Sequence, residues 1–246
     1  MSAAAYTPVM GERIAALLSE WKLPTAAGEL VRRLVAGGHD EALGVVAEVL
    51  ELEAAGRKER RVERLRRASK LPPGKTFETL DKARVPRTAL LKVQELSRGD
   101  FVEQANNVLL FGLPGVGKSH LACSLGHALV DAGRSVLFTP TYQLVQQLLV
   151  ARRDLYLPRA LRALDVFDAV ILDDLGYVQQ TAEEAEVLFT LMAERYERRS
   201  LIITSNQTEY RKSHRRFDPQ RAADRCRRGA VGVGTLAACT VKRRVV

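Results

Sequence analysis

Long apolar runs are absent from the chain. Nowhere does it offer the roughly 18 uninterrupted apolar residues that a membrane span needs, and Glu12 and Arg13 interrupt the first apolar stretch, which no basic segment precedes. A cytoplasmic protein with no membrane partner is expected. Cysteine is almost as scarce: Cys123, Cys226 and Cys239 stand far apart, with no CxxC and no Cys/His cluster at metal-ligand spacing. That argues against a zinc module, and an odd number suggests no disulfide framework, so reduced thiols are expected. Aromatic residues make up 6% of the chain, and no stacking platform for single strands, helix-turn-helix or zinc finger is legible. No internal repeat at a solenoid period is present.

What is there is the composition of a globular protein: 246 residues, 46% hydrophobic and 27% charged. This suffices for one α/β core and a smaller module. The net charge of +9 points to an anionic partner such as nucleic acid, but it is unevenly placed. Residues 1–210 carry 27 Lys/Arg against 27 Asp/Glu, while 211–246 carry 11 against 2. The whole excess lies in the tail.

Along residues 12–54, Ile14, Leu17, Leu18 and Trp21, then Leu43, Val46, Val49 and Leu50, recur at helical spacing. Pro24 and Gly37–Gly38 punctuate them. In 57-RKERRVERLRRASK-70, Arg57, Arg60, Arg61 and Arg64 would share one side of a helix, which could lie along a phosphate backbone. The alternative is a solvated helix with Glu59 and Glu63 as partners. Prolines and glycine in 71-LPPGKTFETLDKARVP-86 mark a connector. Beyond it, short β-rich runs (VLLF, SVLFT, AVILDD, LIITSN) alternate with helical stretches, the pattern of βαβ units around a parallel sheet. The expected organisation is a helical domain over 1–70, a connector over 71–105 and an α/β domain over 106–246, with 211–246 as an atypical basic tail.

The most specific signal is 112-GLPGVGKS-119, which follows VLLF and opens a helix. It fits the P-loop pattern G-x-x-x-x-G-K-[ST] in the context that pattern requires. Gly112, Leu113, Pro114, Gly115, Val116, Gly117, Lys118, Ser119 and the following His120 are therefore the expected nucleotide-binding residues, and the family resemblance described below makes that nucleotide ATP. Backbone amides would cradle the phosphates, Lys118 would reach the β and γ groups, and Ser119 would ligate Mg²⁺. About fifty residues on, 170-VILDD-174 ends an apolar run in two acids: Asp173 for Mg²⁺ and Asp174 for the attacking water. The run 203-ITSN-206 ends in Asn206, whose amide could orient water or sense the γ-phosphate. His120 and His127 read as packing or surface residues rather than metal ligands.

The stretches GLPGVGKSHLA, VILDDLGY, ERYERRSLIITSN and RRASKLPPGKTFETLD followed by NNVLLFG resemble the IstB-like ATP-binding proteins, over about residues 10 to 208. These are helper ATPases of insertion-sequence transposition, related to the helicase loader DnaC and the initiator DnaA within the AAA+ class. The resemblance implies an AAA+ P-loop NTPase: a parallel sheet flanked by helices, preceded by a small all-helical domain. It also implies ATP and Mg²⁺ as cofactors, assembly of several copies with ATP between subunits, duplex DNA bound with little sequence specificity, and a transposase of the same element as partner. It makes Arg225, in 223-ADRC-226, the candidate arginine finger, and Arg195 a weaker one. A helicase loader like DnaC and a decayed ATP-binding module are the alternative functions. The tail departs from the family pattern: the tryptophan expected soon after Asn206 is missing, and glycines weaken the last strand. Two readings stay open for it, a divergent DNA-contacting extension and a frame-shifted or degenerate end.

Overall fold

The computed structural model describes residues 3–175, 181–206 and 236–241. Contacts divide the chain into two compact units, Met1–Arg61 and Val62–Val246. The first is helical, with α1 (Ala3–Glu20), α2 (Pro24–Ala36) and the N-terminal part of α3 (Ala42–Ser69). Its core gathers Ile14, Leu18, Leu43 and Ala47, with Leu30, Val31 and Leu34 packed against them. The i, i+4 spacing of Ile14 with Leu18, and of Leu43 with Ala47, puts each pair on one helix face. Pro24 opens α2, where its missing N–H costs no helical bond.

The second unit is built on a five-stranded sheet: β1 (Asn107–Gly112), β2 (Val136–Pro140), β3 (Ala169–Leu175), β4 (Ser200–Ser205) and β5 (Leu236–Val241). The order is β2-β3-β4-β1-β5, with the first four parallel and β5 antiparallel to β1. Alternate residues feed two cores, as the period of a strand requires. Val108, Leu110, Val136, Ala169, Ile171 and Ile202 share one core with α4 (Arg87–Leu96) and α6 (Lys118–Asp131). Leu109, Leu137, Val170, Leu172, Leu201 and Ile203 share the other with α7 (Thr141–Arg153), α8 (Leu157–Leu164) and α9 (Ala182–Arg195). Burial on both faces is why the strands read as continuous apolar runs. The parallel sheet flanked by helices and the helical N-terminal region expected from the sequence are both present.

Residues 71–105 do more than connect. They hold one 3₁₀ turn (Lys82–Arg84), α4 and the short α5 (Asp100–Glu103), and bury Leu71, Leu80, Val85, Ala89, Val93 and Leu96 in the first sheet core. At Gly126 on α6, an added Cβ would lie 2.8 Å from Ile171 Cδ1 and 2.9 Å from Leu71 Cδ2, so a side chain here would push the ends of both aside. The prolines and glycine that suggested a linker turn the backbone, while isolated apolar side chains between them reach the core without any period to announce it. The glycine-weakened last strand also forms, pairing from Gly112↔Leu236 to Asn107↔Val241 and setting β1 between β4 and β5.

Candidate functional site

Because β1, β3 and β4 run parallel, their carboxyl ends lie along one edge of the sheet, and all three functional motifs are there. The loop leaving β1 reaches α6 through Gly115 and Gly117, at φ +80° and +91°. Gly117 is doubly constrained, since an added Cβ would also meet Val85 Cγ2 at 3.2 Å. This left-handed backbone brings the chain into α6, whose first amides have no partner within the helix and suit an anion. Lys118 is 4% exposed, and its ammonium donates to the carbonyls of Gly112 (2.9 Å) and Leu113 (2.8 Å). Burial pulls the Lys118 pKa down, while the carboxylates of Asp174 and Asp173 oppose that shift from nearby. Ser119, half-buried in the first turn of α6, has no hydrogen-bond partner for its hydroxyl among the described residues.

The two acids sit on a bulge. Leu172 is in register with Ile203 and Leu175 with Ser205, so Asp173 and Asp174 together face the single residue Thr204. Asp174 takes φ +58°, a left-handed value unusual for a residue with a Cβ. Thr204 Oγ1 accepts the Asp174 N–H at 2.9 Å and donates to Asp173 Oδ1 at 2.7 Å. Asn206 Nδ2 donates to Asp174 Oδ1 at 3.2 Å. Thr141 Oγ1, at the start of α7, donates to the Asp173 carbonyl at 2.8 Å. In a regular strand, consecutive carboxylates would point to opposite faces; the kink at Asp174 breaks that alternation. Ser119 and Asp173 supply hard oxygen donors, a set that suits Mg²⁺.

A buried lysine folded into a glycine loop, with a kinked acidic pair and an asparagine along the same sheet edge, is the layout of a phosphate site. The sequence profile of the family described as IstB-like ATP binding protein matches residues 17–224. The chain belongs to this family. An insertion-sequence ATP-binding protein of Sinorhizobium fredii is 49% identical over 160 residues, covering 65% of this chain and 54% of the relative. The IS21 ATP-binding protein of Pseudomonas aeruginosa is 42% identical over 158 residues, covering 64% and 60%. The IS1162 ATP-binding protein of Pseudomonas fluorescens is 35% identical over 197 residues and covers 80% of each chain. The chain thus spans only about half to two thirds of the first curated relatives it matches. Among solved structures, the DnaC helicase loader matches with a TM-score of 0.45 and 24% identity over 57% of this chain and 78% of that one. This likeness is too distant to bear on function.

Other residues of this IstB-like chain are engaged in internal hydrogen bonds. His120 Nε2–H donates to the Thr76 carbonyl at 2.8 Å and lies 3.1 Å from Thr79 Oγ1; His127 Nε2–H donates to the Pro72 carbonyl at 3.0 Å. A carbonyl can only accept, which fixes the proton on Nε2 in both rings. The two histidines tie residues 72–79 to α6, while the Ser124 hydroxyl donates to the His120 carbonyl of its own helix at 2.9 Å and lies 3.4 Å from the Lys75 carbonyl. Arg195, the weaker finger candidate, is 1% exposed, and its guanidinium donates to the carbonyls of Leu164 (2.9 Å), Phe167 (2.9 Å) and Ser200 (3.2 Å). Such burial leaves it nothing to offer a neighbouring subunit. Arg198 and Arg199 pair with Asp165 (2.9 Å) and Asp168 (2.8 Å), so the ERYERR motif staples the end of α9 to the strand entries. Arg225 lies outside the described residues.

The arginine-rich part of α3 is helical as expected, but its charges are partly engaged. Arg57 and Arg60 both donate to Glu53 Oε1, at 2.7 and 3.0 Å, and Arg57 also stacks 4.1 Å from the Trp21 ring centroid. Glu63 takes Arg66 and Arg67. Arg61 has partners of its own, while Arg64 is exposed and forms no ion pair among the described residues. The sequence reading missed Thr204, Thr141 and the capping box of Thr181 with Glu184 that starts α9. Only the last had a local signal, T-x-x-E ahead of an apolar stretch.

Proposed function

We propose that this IstB-like chain is an ATPase that binds ATP with Mg²⁺, assembles in several copies on duplex DNA, and serves the transposase of its own insertion sequence. The observation that carries the ATPase part is the shared sheet edge, where the P-loop, the acidic bulge and Asn206 converge. Amides of Gly115 to Ser119 hold the phosphates, and Lys118 leaves its loop carbonyls for the β and γ groups. Ser119 and Asp173 are the residues that hold Mg²⁺, which when bound neutralises phosphate charge. Asp174 accepts a proton from the attacking water, and Asn206, bonded to the same carboxylate, orients that water.

The names of the relatives, all insertion-sequence ATP-binding proteins, support the transposition context. Arg64, the basic tail and the absence of a base-reading motif favour backbone contacts with duplex DNA and little sequence preference. Arg225 is the candidate for completing a neighbour's site. The test is sedimentation of the protein with random-sequence duplex DNA, with and without ATP and Mg²⁺. Large complexes that require all three are expected; a monomer that binds ATP and never assembles on DNA overturns the assembly part of the proposal.

A further inference from the structure

Thr204 belongs to none of the expected functional positions, yet it touches both acids. It is fully buried (0% exposed) on β4 and faces the bulge of β3. Because the bulge takes Asp174 out of the regular ladder, its amide is met by a hydroxyl, Thr204 Oγ1, at 2.9 Å. A hydroxyl that accepts one hydrogen bond still has its own proton to give, and here it goes to Asp173 Oδ1 at 2.7 Å.

We propose that Thr204 is the positioning residue of the acidic pair, setting the backbone kink at Asp174 and the side-chain direction of Asp173 with one hydroxyl. The inference rests on the ATPase reading above. Thr204 has no exposed surface, so it touches neither nucleotide nor water and acts only through its two neighbours. If the hydroxyl is lost, the Asp174 amide has no partner, the left-handed turn loses its anchor, and the Asp173 carboxylate is free to rotate. The Lys118 ammonium is held by the carbonyls of Gly112 and Leu113 and shares no hydrogen bond with Thr204, so the phosphate-binding groups keep their own anchors. Binding of nucleotide and its hydrolysis should therefore separate.

The test compares Thr204→Val, which keeps the shape and removes the hydroxyl, with Thr204→Ser, which keeps the hydroxyl. Affinity for a fluorescent ATP analogue is titrated with and without Mg²⁺, alongside kcat, KM and thermal melting. For Thr204→Val, Mg²⁺-free affinity should stay within about twofold, while Mg²⁺-dependent strengthening and kcat fall by roughly tenfold to a hundredfold, as loss of an outer-shell partner does. Thr204→Ser should stay within about threefold of the parent, since it keeps the same donor and acceptor. If Thr204→Val melts too early to assay, Thr204→Cys, whose thiol is a weak donor, replaces it with the same expectation. The inference is overturned if the hydroxyl-free variant keeps the parental kcat and Mg²⁺ dependence, if Thr204→Ser falls as far as Thr204→Val, or if Mg²⁺-free binding is lost in parallel. A parent that binds Mg²⁺ and nucleotide without hydrolysing defeats the ATPase reading instead, and the Mg²⁺ titration still decides on Thr204.

Discussion

Asn206 Nδ2 donates to Asp174 Oδ1 across 3.2 Å, joining the end of β4 to the bulge of β3. The bond leaves Asp174 exposed at the sheet edge while fixing one of its oxygens. In the proposed mechanism the carboxylate takes a proton from water. Asp174→Asn should therefore retain ATP affinity while kcat falls about a hundredfold or more, the usual contribution of a general base. Single-turnover hydrolysis beside equilibrium nucleotide binding checks this; a parental rate would remove Asp174 from the mechanism.

Lys118 is expected to be a binding residue. Its ammonium already sits on two loop carbonyls, so phosphate replaces one set of oxygens by another of higher charge. Losing a hydrogen bond to a charged group costs about 1.5–3 kcal/mol, so Lys118→Ala should weaken ATP binding by roughly tenfold to a hundredfold or more. Titration with a fluorescent nucleotide measures it.

Arg195 should behave as a structural residue. Its three carbonyl acceptors lie on the α8 end, the turn after it and β4, so Arg195→Met takes a charged donor from each, although the Leu164 carbonyl keeps the Phe167 N–H at 3.1 Å. A hydrogen bond to a charged group is worth about 1.5–3 kcal/mol. The melting temperature should drop by several degrees while ATPase activity per folded molecule stays at the parental level, read by calorimetry and by assays at low temperature. Loss of activity at unchanged melting temperature would return Arg195 to the finger role.

Binding to duplex DNA should weaken steeply with salt, because backbone contacts release counterions. Arg64→Ala is expected to lower the slope of log affinity against log salt by about 0.9, the value for one phosphate contact. Arg57→Ala should act mainly on the stability of the helical unit, through the lost Trp21 stacking and the Glu53 pair. Fluorescence anisotropy of a labelled duplex over a salt series, with melting curves for both variants, separates the two.

Cys123 makes the simplest check of the packed interior. Burial of the thiol pushes its pKa up to about 12. It should stay unmodified by an alkylating reagent at pH 8 in the folded protein and react in denaturant, as mass spectrometry of the Cys123 peptide will show.

Local sequence determined the P-loop, the order of strands and helices, and the two-sided burial of the sheet. Each of these follows from spacing within about ten residues: glycines at Gly115 and Gly117, apolar runs such as Val108 to Phe111, and the acids ending Val170 to Asp174. Tertiary structure decided what depends on partners far along the chain. Arg195 reads as the weaker finger candidate until Leu164, Phe167 and Ser200 close on it, and residues 71–105 read as a connector until Leu71 meets Gly126. The relation of Thr204 to Asp173 and Asp174 depends on a bulge between two strands about thirty residues apart in sequence. Strand register is set by the fit of the whole sheet and leaves no periodic mark in either segment, so only the folded chain shows it.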